Sequence, residues 1–231
     1  MSSSRLVLVA TPIGNLQDLS ARAIQTLKDC DLWIVEDTRV SGKLQTVLEI
    51  KKPMRVLNEH TNDAKVSALA KEVEAGVSCA LLTDGGCPSI SDPGARLVDA
   101  CAQLGIEIDS IPGPSAVTNA LALSGFFAQR FAFLGFPARK PGDIRELFRP
   151  FAESSLTLAF FESPFRYRKT LAIAAEVLGD RRAVICREMT KLHQEIIRLD
   201  LTFLAEMRDI GEKGEFTIVI EGRRRNRVAD D

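Results

Sequence analysis

Metal and disulfide chemistry have little to work with in this chain. Histidine occurs only at positions 60 and 193, and the five cysteines, at 30, 79, 87, 101 and 186, form no C-x-x-C pair. An odd set of dispersed thiols argues for a reducing compartment and against both a disulfide framework and a zinc site. No apolar run approaches the roughly 20 residues that span a bilayer. The run after Arg5 leads directly into Thr11-Pro12-Ile13-Gly14 without a small-residue cleavage site. The expectation is a cytoplasmic protein with no membrane association and no metal. A charge signature is missing too. Thirty basic residues against 31 acidic ones leave no global mark of a nucleic-acid binder, although a local basic patch can hide in a neutral total. Nucleotide motifs are also absent. The turn after the first apolar run has one glycine and no G-x-G-x-x-G, no G-K-[ST] occurs anywhere, and no G-x-S-x-G elbow is present.

Against these absences stands one densely specified segment, Ala80 to Gly94. Its first three residues are apolar without alternation, as in a strand covered on both faces of a parallel sheet. Gly85 and Gly86 then permit backbone angles that side chains forbid, while Pro88 and Pro93 fix the chain direction. A loop so tightly specified at a strand's carboxyl end reads as a ligand loop of an open α/β sheet, with a rigid connector as the alternative.

Around it the first half alternates strand and helix. Strands are expected at Leu6–Ala10, Leu32–Val35, Arg55–Leu57, Val77–Leu82 and Ile106–Ile111. Helices are expected after a Ser20 cap, from about Ser41, over Asp63–Ala75 with Gly76 as stop, and from Asp92 or Pro93 to about Leu104. This alternation implies a mostly parallel sheet with helices on both faces. Pro112-Gly113-Pro114-Ser115 reads as a hinge. Beyond it come a small-residue helix (Ala116–Ser124), a strand Phe131–Phe136 and a charged helix around Asp143–Ala152. The strand Leu156–Phe161 and a helix Phe165–Leu178 follow. The last strands, Ala183–Cys186, Glu195–Leu199 and Phe216–Glu221, lie close together with little helix between them, which suggests an antiparallel or mixed sheet. The expected domains are 1–113 and 114–222, with a charged tail over 223–231. The polar, turn-rich strand ends of both halves are expected to line one cleft between them.

These strand ends carry a family resemblance. Thr11-Pro12-Ile13-Gly14-Asn15-Leu16, Glu36-Asp37-Thr38-Arg39, Asn58-Glu59-His60 and Ser91-Asp92-Pro93-Gly94 resemble the ribosomal RNA small subunit methyltransferase I family of the tetrapyrrole methylase superfamily. So do Ile111-Pro112-Gly113-Pro114-Ser115-Ala116, Phe161-Glu162-Ser163-Pro164, Arg187-Glu188-Met189-Thr190-Lys191 and Lys213-Gly214-Glu215-Phe216. The resemblance implies a bilobal tetrapyrrole-methylase-like α/β fold, with a mostly parallel N-terminal sheet and a mixed C-terminal one. It implies S-adenosyl-L-methionine as cofactor, 16S rRNA within the 30S subunit as substrate, methylation of a cytidine ribose 2′-hydroxyl, and a homodimer. It places the cofactor across the hinge, held by Gly86, Cys87, Ile90, Ser115 and Ala116, with Phe161, Met189 and Phe216 from the second half. Ile90, Met189 and Phe216 are equally readable as core packing.

For the proton on the ribose hydroxyl, the candidates are Asp37, Glu59, His60 and Lys191. Asp37 has the alternative of orienting Arg39, and His60 that of bonding a loop. Arg39, Lys43, Arg166 and Lys191 are candidate phosphate contacts, with Lys43 reading more readily as solvated surface charge, and Asn15 and Asn58 either hold a flipped-out nucleotide or stabilise turns. Two departures stand out. Cys87 occupies a position where the family usually has threonine. Many members also continue past the position of Gly222 into a small helical domain, where this sequence offers Arg223, Arg224, Arg225 and Arg227. A tetrapyrrole methylase acting on a precorrin or uroporphyrinogen, and a non-catalytic RNA-binding protein, are the competing readings.

Overall fold

A computed structural model describes residues 5–207, 210–211 and 213–224; Arg225 and Arg227 of the basic run lie outside the described residues. The chain forms two compact units, Met1–Ser115 and Ala116–Asp231.

The first unit alternates β1 (Arg5–Val9), α1 (Ala21–Asp29), β2 (Leu32–Val35), α2 (Thr38–Leu48), β3 (Met54–Val56), α3 (Asp63–Glu74), β4 (Cys79–Leu81), α4 (Ala95–Gln103) and β5 (Glu107–Ile111). The strands lie in the order β3-β2-β4-β1-β5, and every neighbouring pair is parallel. Successive strand residues point to opposite faces, and here both faces are apolar. Leu6, Leu32, Ile34, Cys79 and Leu81 pack with α3 and α4 residues such as Leu69 and Leu97. Val7, Val9, Trp33, Val35 and Ala80 pack on the other side with α1 residues such as Ala23 and Leu27. Ser20 caps α1 by accepting from Ala23 N at 3.1 Å. Gly76 (φ 106°) and Gly105 (φ 68°) follow α3 and α4 in the left-handed region, the stops expected of glycine.

One helix starts earlier than expected. α2 begins at Thr38 rather than Ser41, because the Asp37 carboxylate accepts from Arg39 N at 2.7 Å and caps it.

The second unit contains α5 (Ala116–Ser124), β6 (Phe131–Phe133), α6 (Pro141–Phe148), a 3-10 turn (Arg149–Phe151), β7 (Thr157–Glu162), α7 (Tyr167–Leu178), β8 (Arg182–Arg187), β9 (Glu195–Asp200), α8 (Leu201–Glu206) and β10 (Phe216–Ile220). Its order is β6-β7-β10-β8-β9, with β6 parallel to β7 and the other pairs antiparallel. The mixed sheet agrees with the reading of the closely spaced last strands. The short helix α8 was not expected. Nor does α7 reach back to Phe165; it starts at Tyr167 and leaves Phe165 in the preceding turn. The core of this unit lies between the sheet and α6, α7 and α8, with Phe148, Phe160, Tyr167 and Phe216 among its large buried side chains.

Candidate functional site

In a wholly parallel sheet each strand delivers its carboxyl end to the same edge. β1 passes the chain towards β2 on one side, and β4 passes it towards β5 on the other. These two neighbouring strands therefore flank the topological switch point, where open α/β sheets form a ligand crevice. Three hydrogen bonds tie the strand ends together there. Thr11 N donates to Gly86 O at 2.9 Å, Gly86 N donates to Thr11 O at 3.0 Å, and Thr11 Oγ1 donates to Thr83 O at 3.0 Å.

The glycine loop is locked in an unusual shape. Gly86 has φ 98°, and a Cβ there would touch Ile13 Cγ2 at 3.5 Å and Pro114 O at 3.9 Å. Ser89 and Ser91 also hold positive φ, 70° and 53°, which in non-glycine residues stores strain of the kind concentrated at functional sites. The Asp92 carboxylate fixes the turn, accepting from Ser89 N at 3.0 Å and Gly94 N at 2.8 Å. The Ser89 hydroxyl is buried with no hydrogen-bond partner, and Ile90 is 55% exposed. Cys87 Sγ donates to Pro114 O at 3.6 Å. Burial pushes its thiol pKa up, more than a hydrogen bond with Ser115 lowers it. It therefore stays a neutral thiol donor, able to replace threonine's hydroxyl in that one role.

Carboxylates line this edge. Glu36, at the end of β2, has its pKa raised by burial and then by the charges of Asp84 and Asp92; Thr83 Oγ1 lies 3.4 Å from its Oε2. Burial likewise raises Asp84, against a hydrogen bond from the Asp37 backbone. The sequence places both residues on strand ends but assigns neither a role in the site. Asp37 behaves in the opposite way. Its hydrogen bonds to the Arg39 guanidinium (3.0 Å from Nε to each oxygen) and to Arg39 N bring it down to about 2. Among the described residues no group of three or more histidine, cysteine or carboxylate side chains is arranged to hold a metal ion.

Glu59 and His60 are exposed on the turn after β3. Asn58 Oδ1 supports that turn, accepting from His60 N at 3.1 Å and Thr61 Oγ1 at 3.2 Å. Asn15 similarly accepts from Gln17 N at 3.0 Å. The carbonyl oxygens of both asparagines are thus engaged in turns.

The second unit gathers its own strand ends. Phe216 is in register with both Glu162 and Arg187, so the start of β10 lies beside the ends of β7 and β8. Lys191 Nζ bridges Glu188 Oε1 (2.9 Å) and Glu215 Oε2 (3.0 Å). Burial pulls its pKa down, but these hydrogen bonds outweigh it and the net shift is upward. Lys191 is therefore an ammonium ion at neutral pH, unable to accept a proton. Glu188 (φ 50°) and Thr190 (φ 66°) make a second strained loop, and the Thr190 hydroxyl is buried without a partner. Between them Met189 is buried, with Asn119 Nδ2 3.7 Å from its sulfur. Phe216 is also buried, its ring 5.2 Å from that of Tyr167 in the hydrophobic core. Phe161 is partly buried and packs on Phe133 and Phe136, and Ala116 opens α5. Arg166 donates to Pro137 O (2.6 Å) and Ala138 O (2.7 Å) and lies 3.4 Å from buried Glu162. Its guanidinium braces a loop.

Residues 5–205 match the family model of the Tetrapyrrole (Corrin/Porphyrin) Methylases. The chain belongs to this family. Among curated proteins, the chain is 40% identical over 220 residues to the ribosomal RNA small subunit methyltransferase I of Thermotoga maritima, covering 95% of this chain and 99% of the relative. It is 43% identical over 225 residues to the protein of that name from Mycobacterium tuberculosis H37Rv, covering 96% and 79%. The Bacillus subtilis protein of that name is 37% identical over 227 residues, covering 98% and 78%. Among solved structures, a diphthine synthase aligns with TM-score 0.74 at 14% identity over 94% of this chain and 89% of that one. A cobalt precorrin-4 methyltransferase aligns with TM-score 0.68 at 16% identity over 94% and 95%. At such identities these two likenesses establish the fold alone.

Proposed function

We propose that this chain is a cytoplasmic, homodimeric S-adenosylmethionine-dependent methyltransferase. Its proposed target is the ribose 2′-hydroxyl of a cytidine in the decoding region of 16S rRNA, presented on the 30S subunit. The observation that carries this reading is the 40% identity to the Thermotoga maritima ribosomal RNA methyltransferase over almost the full length of both chains.

The residues of the glycine loop fit the donor. Gly86, whose amide and carbonyl are both engaged by Thr11, contributes the space that a side chain would fill, and the buried Ser89 hydroxyl has a hydrogen bond to give. The carboxylates of Glu36, Asp84 and Asp92 suit a ligand bearing a sulfonium and an ammonium. Cys87, Ile90, Ser115 and Ala116 complete this part of the proposed site; Phe161, Met189 and Phe216 are its proposed contributors from the second unit. For Met189 and Phe216 the contribution is to shape the surface from within, since both are buried. When bound, the donor supplies an electrophilic methyl group. The chain's own task is to orient the acceptor oxygen and take its proton. Asp37 is held by Arg39, and Lys191 is a cation between two carboxylates. Glu59 and His60 are accordingly the proposed proton acceptors. Lys191 is assigned an electrostatic role, Arg39 a phosphate contact, and Asn15, Asn58 and Arg166 the shaping of the loops that meet the RNA.

Incubation with isotopically labelled donor and 30S particles, followed by mapping of the label, tests the proposal. Label on a cytidine ribose is the expected result. Label only on a supplied precorrin or uroporphyrinogen would make the chain a small-molecule methylase, and RNA binding without transfer would make it a non-catalytic binder.

Two variants probe the assignments. Arg39→Ala should raise the RNA concentration for half-maximal transfer about tenfold or more, since a hydrogen bond to a charged group contributes about 1.5–3 kcal/mol. Donor affinity should not change; equal loss of both would mean that Arg39 only supports the loop. Glu36→Gln is expected to weaken donor binding several-fold and yet to raise Tm slightly. The raised pKa means that folding disfavours the ionised form of Glu36. Its ionisation therefore opposes folding above the folded-state pKa, and that penalty fades as pH falls through it. A calorimetric titration and a melting curve at pH 7 read both effects, and a variant that melts lower would contradict the argument.

A further inference from the structure

Phe136 and Phe165 are large aromatic side chains left mostly in solvent, 64% and 85% exposed. They follow β6 and β7, the parallel pair of the second sheet, so both leave the sheet at the same edge. The pairing continues past the strands, with Leu134 N donating to Ala159 O at 2.9 Å and Phe161 N to Gly135 O at 2.8 Å. Phe136 is held in place from beneath. Its ring lies 5.1 Å from that of Phe161, which in turn meets Phe133 edge-on at 5.0 Å. The two loops are also bound to each other. Besides the two Arg166 bonds to Pro137 O and Ala138 O, Lys169 Nζ donates to Arg139 O at 3.3 Å. The result is one braced surface.

Within the two segments that form it the charge is of one sign, although exposed Asp143 follows directly on the first. Residues 134–142 (Leu-Gly-Phe-Pro-Ala-Arg-Lys-Pro-Gly) and 163–169 (Ser-Pro-Phe-Arg-Tyr-Arg-Lys) contain no acidic residue. Arg139, Lys140 and Lys169 are exposed. We propose that Phe136 and Phe165, flanked by Arg139, Lys140 and Lys169, form a platform on which unpaired bases of the RNA stack while the cations meet the adjoining phosphates. The inference rests on the RNA reading above. Aromatic faces interleaved with cations are how single strands are held without sequence readout. A subunit contact would favour apolar neighbours, since lysine is depleted at protein interfaces.

The test uses a fluorescein-labelled, single-stranded 12-nucleotide RNA, with anisotropy measured on the full chain. Phe136→Ala/Phe165→Ala should weaken binding at least tenfold, and Phe136→Tyr/Phe165→Tyr should restore it. Arg139→Ala/Lys140→Ala/Lys169→Ala should flatten the dependence of log affinity on log salt by about 2, at roughly 0.7 per phosphate contact on a single strand. Sedimentation and calorimetric donor binding should be unchanged in all variants. An alanine variant that binds the RNA as tightly as wild type overturns the platform, as does one whose association state changes, which would make the face a subunit contact. If wild type methylates ribosomal RNA while the alanine variant binds normally, the platform fails alone. If wild type binds the RNA but never methylates ribosomal RNA, the proposed function fails instead.

Discussion

Gly86→Val is expected to weaken methyl-donor binding by at least 100-fold while the protein remains folded. Gly86 sits at φ 98° beside the switch point, its amide and carbonyl both bonded to Thr11. A β-branched residue is poorly tolerated at that angle, and the strain amounts to about 1–3 kcal/mol, enough to lower Tm by several degrees. Bulk matters more than strain for the ligand. A Cβ alone would make only ordinary contact with Ile13, at 3.5 Å, whereas the two methyl groups of valine project further from that point. Gly86→Ala, which shares the strained angle, should therefore retain more donor affinity than Gly86→Val. Calorimetric titration with a parallel melting curve reads both quantities. Wild-type donor affinity in the valine variant would remove Gly86 from the site.

The largest stability effect is expected in the second unit. An alanine at Gly222 would place its Cβ inside contact distance of the Ser155 carbonyl group and 2.8 Å from Leu156 O. These are backbone atoms at the approach to β7, and Arg223 N, one residue on, donates to Ser154 O at 2.8 Å. No side-chain rotation can relieve such a clash. Overpacking typically destabilises by about 1–3 kcal/mol, and backbone against backbone belongs at or above the top of that range. Total stability is about 5–15 kcal/mol, so Gly222→Ala should shift the urea midpoint markedly downward. An unchanged midpoint would mean that the chain after β10 is not seated against residues 154–156.

Local chemistry made much of this fold readable, and distance in sequence hid the rest. The doubly apolar strands, the Ser20 cap and the glycines after α3 and α4 each announce themselves within a few residues. The sequence places the start of α2 late because Thr38 and Val40 are weak helix formers, and the signal that starts the helix is the Asp37 cap. α8 escaped notice because six residues following directly on β9 are too short for a helical period to emerge. The carboxylate edge is a different kind of omission. Glu36 and Asp84 are far apart in the chain and become neighbours only because β2 pairs with β4. That pairing belongs to the strand order, which no local pattern encodes. Phe136 and Phe165 were hidden in the same way, and Phe165 was further obscured by being assigned to a helix.

The interior place of β1, between β4 and β5, has a consequence for how the protein is made. Arg5–Val9 leaves the ribosome well before either of its partners, Cys79–Leu81 and Glu107–Ile111. At roughly 5–20 residues per second of synthesis, those partners emerge several seconds later or more. Through that interval a nascent Leu-Val-Leu-Val stretch has no strand beside it, which makes it the segment on which a chaperone would be needed.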